Sequence, residues 1–372
     1  MALIVVFALS AALHGYIGAR LVPALPPGAG WMFASWLLAS ALLVPTGLLA
    51  RRVMHLRAPV ADRLAWVGML AMGLFSSLLV LTVLRDALLL VLRLAHGPDL
   101  AGASGIAVLM LALGLTAVGF LNARRPARVQ RVTVPLSRLP PQLDGFRIAQ
   151  ITDIHVGPTI KAPYLQAIVD RVNALEADVV AITGDLVDGS VAELRAHVAP
   201  LAQLRARHGV YFVTGNHEYY SGVHGWVAEL QRLGIRVLHN EHVVLRHEGA
   251  HLVLAGVPDV SGHRFDPDHR SDPAAALAGA PREAPRVLLA HQPRSATAAA
   301  EAGFHLQLSG HTHGGQFLPW NWLVPLQQPF TAGLHRLGGL LVYVSRGTGY
   351  WGPPKRLGAP SEIAVLRLAP SA

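Results

Sequence analysis

Four long apolar runs crowd the first 122 residues, at about 2–19, 31–50, 64–84 and 103–121. A bilayer core takes ~20 apolar residues per helix, and in hydrocarbon the backbone must satisfy its own hydrogen bonds. The runs are therefore expected to be membrane-spanning helices, making residues 1–123 an all-α four-helix transmembrane region. Buried helices of a soluble all-α domain are the alternative, which four charge-free runs in succession disfavour. Trp31, Trp36 and Trp66 lie near run ends, where indoles favour the membrane interface. The first run has no basic leader and further spans follow it, so it does not read as a cleaved signal peptide. These runs account for a mean hydropathy of +0.41 with only 14% charged residues; the rest reads as ordinary globular sequence.

The formal net charge is +9. There is no lysine–arginine block and no aromatic–basic interleaving, so nucleic acid is not an expected partner. Much of the surplus flanks the apolar runs instead, in Arg51, Arg52, Arg57 and Arg63 and in Arg124, Arg125, Arg128 and Arg131. The segment 20–30 carries only Arg20, and 85–102 carries Arg85 and Arg93 against Asp86 and Asp99. Placing the richer segments inside puts both chain ends on the inner side. The expectation is a multi-pass protein of the inner (plasma) membrane with its C-terminal domain cytoplasmic. His14, Arg85 and Asp86 are the polar residues within or beside the runs, and Arg85–Asp86 reads as an interfacial end of the third.

Residues 124–145 read as a basic linker and first strand, and 146–372 as one domain. Strand-like runs occupy 146–151, 178–182, 210–213, 251–255, 286–290, 305–308, 341–344 and 362–367, with helix-like segments at about 161–175, 191–207, 224–233 and 295–302. Strand–helix–strand units of ~30 residues imply parallel sheet with right-handed crossovers. The class is α/β.

Five short segments follow predicted strands: Asp153-Ile154-His155, Gly184-Asp185-Leu186-Val187-Asp188, Gly215-Asn216-His217-Glu218, His291-Gln292-Pro293 and Gly310-His311-Thr312-His313-Gly314-Gly315. Loops at carboxyl ends of strands build sites in open α/β sheets. If the strand stays extended, positions i and i+2 of Asp153-x-His155 and His311-x-His313 point the same way. Asp153, Asp185 and Asn216 are 32 and 31 residues apart, about one βα unit each, so adjacent parallel strands could deliver them to one edge. There is no cysteine, so any metal must be held by His, Asp, Asn or Glu. Two carboxylates, one amide oxygen and four imidazoles suit Mn²⁺, Fe or Zn²⁺. Seven ligands exceed the need of one tetrahedral ion and fit two ions sharing a carboxylate. Such a pair, ~3.5–4 Å apart, can bind a phosphoryl group and acidify a water.

The order D-x-H, GD-x-x-D, GNHE, H, GHTH resembles the calcineurin-like metallophosphoesterases. The fuller forms GNHEYYSG (215–222) and GHTHGGQ (310–316) resemble the bacterial branch that includes membrane-associated phosphodiesterases and UDP-2,3-diacylglucosamine pyrophosphatases. The resemblance covers about 146–368. It implies a four-layer αββα sandwich and a dinuclear hydrolase cleaving a phosphoester or pyrophosphate bond. It also implies one metal on Asp153, His155, Asp185 and His313 and a second on Asp185, Asn216, His291 and His311. His217 would face the substrate and protonate the leaving group; Glu218 is considered as its orienter. Asp188 reads as a cap or turn former, and His208, His224, His239, His242, His247, His263, His269 and His335 as surface residues.

The apolar loop 317–330 follows the last block. A loop buried under the site is the simpler reading; the other is a bilayer-facing loop that guides a lipid-linked substrate. Arg346-Gly347-Thr348-Gly349, with Lys355 and Arg356, offers either a phosphate-binding turn or a plain Gly-rich one. Two non-enzymatic alternatives were weighed. A receptor or scaffold that binds metal without turnover would tolerate loss of a ligand or of His217. A transporter would need a polar pathway through the spans.

Overall fold

The computed structural model describes residues 2–49 and 58–371. Arg51, Arg52 and Arg57, used above for orientation, lie outside the described residues. Two compact units are present: one takes in the N-terminal helices together with Gly352–Leu357, the other the remainder from Arg125.

The first unit holds α1 (Ala2–Leu21), α2 (Pro27–Leu49), α3 (Ala58–Leu94) and α4 (Ala101–Arg124). All four are long and apolar enough to cross a membrane. Ile17, Leu21, Leu37, Leu78, Val108 and Ala112 form their shared core. Polar residues join the helices rather than line a path. Ser10 Oγ donates to Ala41 O at 2.8 Å, and His14 Nε2 meets Ser40 Oγ at 2.9 Å. Tyr16 and Arg20 both donate to Asp86 at 2.7 Å. α3 continues past Leu84 to Leu94, so Arg85 and Asp86 lie within the helix rather than at its end. Arg85 is paired: its guanidinium donates to Ser104 Oγ (2.9 Å), Ala101 O (2.8 Å) and Asp86 (3.1 Å). Paired polar groups are tolerated among apolar helices because the alternative is an unsatisfied charge in hydrocarbon.

The second unit holds two six-stranded sheets. The first contains β1 (Arg128–Leu136), β2 (Arg147–Ile151), β3 (Val179–Ile182), β4 (Val210–Phe212), β5 (Arg236–Val237) and β12 (Glu362–Pro370), in the order β1-β12-β2-β3-β4-β5. The second contains β6 (Glu241–His247), β7 (Ala250–Gly256), β8 (Arg286–Leu289), β9 (Leu306–Ser309), β10 (Gly333–Leu337) and β11 (Leu340–Val344), in the order β10-β11-β9-β8-β7-β6. Runs β2-β3-β4-β5 and β7-β8-β9-β11 are parallel, as the βα spacing implied. The sheets bury facing side chains in one core, with Ile148, Val179, Ala181 and Tyr211 from one and Leu254, Leu289, Leu308 and Tyr343 from the other.

Alternate residues point outward, as a two-residue period requires. Leu288, Ala290, Val342 and Val344 pack with α10 (Ala296–Ala302) and α9 (Pro273–Ala276). On the other sheet, Ile151, Ile182 and Phe212 are fully buried, and α5 (Ala162–Asn173), α6 (Val191–Val198) and α8 (Val223–Arg232) form the adjoining layer. The α/β fold expected from the sequence is thus present. The helix expected over 191–207 ends at Val198, because Pro200 offers no amide and a 3₁₀ turn replaces the next turn. The β6–β7 hairpin closes on Glu248 and Gly249 with φ of 52° and 90°, the left-handed pair that a two-residue hairpin turn favours.

In the first unit, α2 and α3 touch backbone to backbone. A Cβ added at Gly47 would stand 2.8 Å from the Gly68 Cα, while one at Gly114 would meet nothing within 4 Å. Gly68→Val is expected to destabilise the helical unit by about 1–3 kcal/mol through overpacking, and Gly114→Val to be neutral. Thermal unfolding of the full chain in detergent measures both.

Candidate metal centre

Every residue of the five blocks lies just beyond the carboxyl end of a parallel strand. Asp153 and His155 follow β2, Asp185 follows β3, and Asn216 and His217 follow β4, opening helix α7 (Asn216–Tyr220). His291 follows β8, and His311 and His313 follow β9. The two sheets are stitched together at this edge. His311 N–H donates to both Asp153 oxygens (2.9 and 3.0 Å), and Gln150 Nε2 donates to Ser309 O at 3.0 Å. The strands do not stay extended through the motifs, contrary to expectation. Asp153, His155, Asp185, His311 and His313 have φ of 53°, 56°, 50°, 69° and 51°. Left-handed turns, not an i, i+2 strand face, therefore aim these side chains. Gly215 and Gly310 serve close approach: a Cβ at either would collide with the carboxylate of Asp185 or Asp153.

The side chains gather into overlapping clusters of Asp153, His155 and His313, of His155, Asp185 and His217, and of Asp185, His291 and His311, each with ligand atoms within 4.8 Å. His155 Nε2 faces His313 Nε2 at 3.1 Å, and His311 Nδ1 faces His291 Nε2 at 3.2 Å. His291 Nδ1 is held by Thr183 O at 2.7 Å, and His155 Nδ1 by Asp188 Oδ1 at 3.2 Å. With those nitrogens engaged as donors, the lone pairs of His291 Nε2 and His155 Nε2 turn inward, as imidazole ligands held by outer partners do. Asp185 Oδ2 lies 3.2 Å from His291 Nε2 and 3.9 Å from His155 Nε2. The Asn216 Oδ1 is buried with no hydrogen-bond partner, which a buried oxygen rarely tolerates. Oxygen and nitrogen donors, one orphaned amide oxygen and inward lone pairs fit divalent cations. Burial pushes the Asp153 carboxyl up, and the Asp185 charge adds to this. Burial acts on Asp185 too, but His291, His217 and His155 outweigh it and hold Asp185 well below the carboxylate range.

Two acidic residues do work the sequence did not assign them. Asp188 is no simple turn former. Its Oδ1 takes His217 Nδ1 at 2.5 Å and His155 Nδ1 at 3.2 Å, fixing both rings through one oxygen. Its place in the GD-x-x-D block was the available signal. Glu218 does not orient the His217 ring. Its carboxylate instead accepts the N–H groups of Gly215 (2.7 Å), Leu186 (2.8 Å), Asp185 (3.0 Å) and Val187 (3.3 Å), locking the two loops together. Burial alone would depress the His217 imidazolium, but the Asp185 and Asp188 carboxylates outweigh it and lift its pKa to about 9.

This geometry can now be set beside known proteins. The calcineurin-like phosphoesterase profile matches residues 146–315. An uncharacterized metallophosphoesterase of Aquifex aeolicus is 32% identical over 243 residues, covering 65% of this chain and 91% of its own. The chain belongs to the calcineurin-like metallophosphoesterases. Another relative, an uncharacterized metallophosphoesterase of Campylobacter jejuni, is 34% identical over 71% of this chain and 69% of its own. A Bos taurus protein described as a transmembrane protein with metallophosphoesterase domain is 45% identical over 75% of this chain, and the match spans 64% of that relative's length.

As a metallophosphoesterase, the chain carries two further features near its motifs. Loop 317–330 is not buried: Trp320 is 38%, Trp322 73% and Leu326 80% exposed. The segment 346–349 is a clamp, because Thr348 N–H and Gly349 N–H are spent on Thr152 O (2.8 Å) and Asp153 O (3.1 Å) and are not free for phosphate. Lys355 does not join that segment at a phosphate. It lies in the helical unit, donating to Gly73 O at 2.9 Å and Ser77 Oγ at 2.5 Å.

Replacing Asp188 with Asn tests its positioning role. Loss of its charge removes support for protonated His217, so the alkaline limb of kcat is expected at lower pH. kcat itself should fall roughly ten- to a hundredfold. A kcat–pH profile measures both.

Proposed function

We propose that this chain is a membrane-anchored dinuclear hydrolase that cleaves a phosphoester or pyrophosphate bond of a lipid-linked or nucleotide-sugar substrate. The observation that carries the reading is the gathering of buried donors on both sides of Asp185, with His155 and His313 toward one side and His291 and His311 toward the other. Asp153, His155, Asp185 and His313 hold one divalent ion, and Asp185, Asn216, His291 and His311 the other. The oxygen and imidazole set, with no thiolate, suits Mn²⁺, Fe or Zn²⁺. Two such ions supply Lewis-acid charge to the phosphoryl oxygens and lower the pKa of an attacking water.

The protein's own contribution centres on His217. Its Nδ1 is tied to Asp188, its ring edge lies between Tyr220 (5.3 Å) and Trp351 (5.7 Å), and its Nε2 stands 3.9 Å from Asp185 Oδ2. A protonated ring whose Nδ1–H is held by Asp188 can donate its Nε2 proton to the leaving oxygen. Every ligand position and His217 are present, which favours turnover over a receptor role.

The substrate class follows from surface chemistry. Leu318, Trp320, Trp322, Leu323 and Leu326 form an exposed apolar loop just after the GHTHGG block. Such a loop suits an acyl-bearing substrate or the bilayer itself, in keeping with the UDP-diacylglucosamine pyrophosphatase-like branch. The four apolar helices support membrane insertion, in keeping with an inner-membrane location. With Arg85 and Arg93 inside α3, the connections 22–26 and 95–100 carry no Lys or Arg, whereas Arg125, Arg128 and Arg131 follow α4. That asymmetry supports a cytoplasmic catalytic domain.

Full-length protein in detergent, loaded with Mn²⁺, is expected to hold two ions per chain and to turn over at least one of a phosphomonoester, phosphodiester and UDP-diacyl sugar panel. His217→Ala should keep both ions and lose kcat by about 10²–10⁴. Two bound ions with no turnover on the panel would argue for the receptor reading. For topology, a reporter fused after Ala372 that is active only outside the cytoplasm is expected to stay silent.

A further inference from the structure

A second cluster of metal-type side chains lies outside the centre just described. His224 on α8, Asp266 and His269 offer ligand atoms within 4.8 Å of one another. We propose that these three residues form an additional site for a Zn²⁺-class cation, which clasps the segment 262–270 onto helices α7 and α8.

The argument begins with Asp266. Its Oδ1 accepts Asp268 N–H at 3.0 Å, which fixes the carboxylate. Its other oxygen, Oδ2, faces His224 Nε2 at 3.1 Å and His269 Nε2 at 3.7 Å. Ligand atoms about 2.1 Å from a tetrahedral ion lie roughly 3.4 Å apart, which these two separations bracket. A plain ion pair needs one imidazole at that oxygen, and two protonated rings there would repel. A cation instead draws both rings in as neutral ligands. His269 is also oriented for the task. Its Nδ1 meets Tyr219 Oη at 2.9 Å, leaving Nε2 toward Asp266, the outer-partner arrangement that ligating histidines show. Two imidazoles and one carboxylate favour Zn²⁺-type ions over Ca²⁺ or Mg²⁺, which prefer all-oxygen shells.

The position gives the site its consequence. Segment 262–270 lies between β7 and β8, and in it Phe265 stacks near Tyr219 and Tyr220 (5.6 Å each). Gly262 approaches Tyr219 so closely that a Cβ would collide with its hydroxyl. Tyr219 Oη also meets Thr214 Oγ1 at 3.3 Å, one residue before the GNHE block. His224 is 74% exposed and reachable from solvent. A cation here joins α8 to the segment, and through His269 and Tyr219 it braces the short helix that carries Asn216 and His217.

The test uses tag-free full-length protein in detergent, stripped of metal, reloaded with Zn²⁺ and desalted. Wild type is expected to retain one more Zn²⁺ per chain than His224→Ala or Asp266→Asn, with circular dichroism unchanged. Zn²⁺ should also slow limited proteolysis within 262–270 in wild type at least fivefold and leave the variants unaffected. Equal Zn²⁺ content in wild type and His224→Ala would overturn the site. Retention of the extra ion without protection of the segment would overturn its role as a clasp.

Discussion

Left-handed backbone at five non-glycine residues is the constraint on which the centre rests. Asp153, His155, Asp185, His311 and His313 all take φ between 50° and 69°. A side chain in that region costs of order 1–3 kcal/mol and persists only where its surroundings over-determine it. Here they do. Asp153 N–H bonds Gly184 O and His155 N–H bonds Asp185 O, pairing the first two loops, while Gly349 N–H holds Asp153 O from a third. Glu218 fixes the Asp185 loop through three of its amides and ties it to the Gly215 amide of the next loop. The strain is thus held by backbone bonds that the ligand side chains need not make, which leaves those side chains turned toward one another.

The same economy appears in the carboxylates. Asp188 steadies one ring of the metal cluster and the ring assigned to proton donation, so the two functions share an anchor. Asp153 receives the His311 amide with both oxygens and so ties the second sheet to the first at the working edge. The centre exists only where the two sheets are held face to face, because the ligand set of each proposed ion draws on both.

The helical unit obeys a different rule. Its backbone is satisfied internally, so the few polar side chains can act as joints: Ser10 and His14 of α1 reach across to α2, and Asp86 and Arg85 of α3 reach across to α1 and α4. Charge counts alone do not reveal that Arg85 has a partner across the bundle. Ser104 and the Ala101 carbonyl supply one.

Much of this was legible in order along the chain. Short apolar runs of strand character marked β2, β3, β4, β8, β9 and β11, and the length of the apolar stretches marked the four helices, because local propensity and hydrophobic patterning are properties of neighbouring residues. The short β5, the edge strand β10 and the hairpin strand β6 were not legible, since so few residues carry no period and edge strands need not be apolar. The five motifs pointed to a metal centre, yet the block position of Asp188 did not by itself separate a ring anchor from a turn former, and nothing told Glu218 from an orienter of His217. Those roles are set by contacts between residues about thirty positions apart, made only when parallel strands lie side by side. The amino-acid sequence by itself determined which segments are helix, strand and motif. The tertiary structure alone decided which oxygens meet which nitrogens, because a hydrogen bond or a ligand set depends on ångström-scale approach of distant loops, and that approach is fixed by the packing of two sheets.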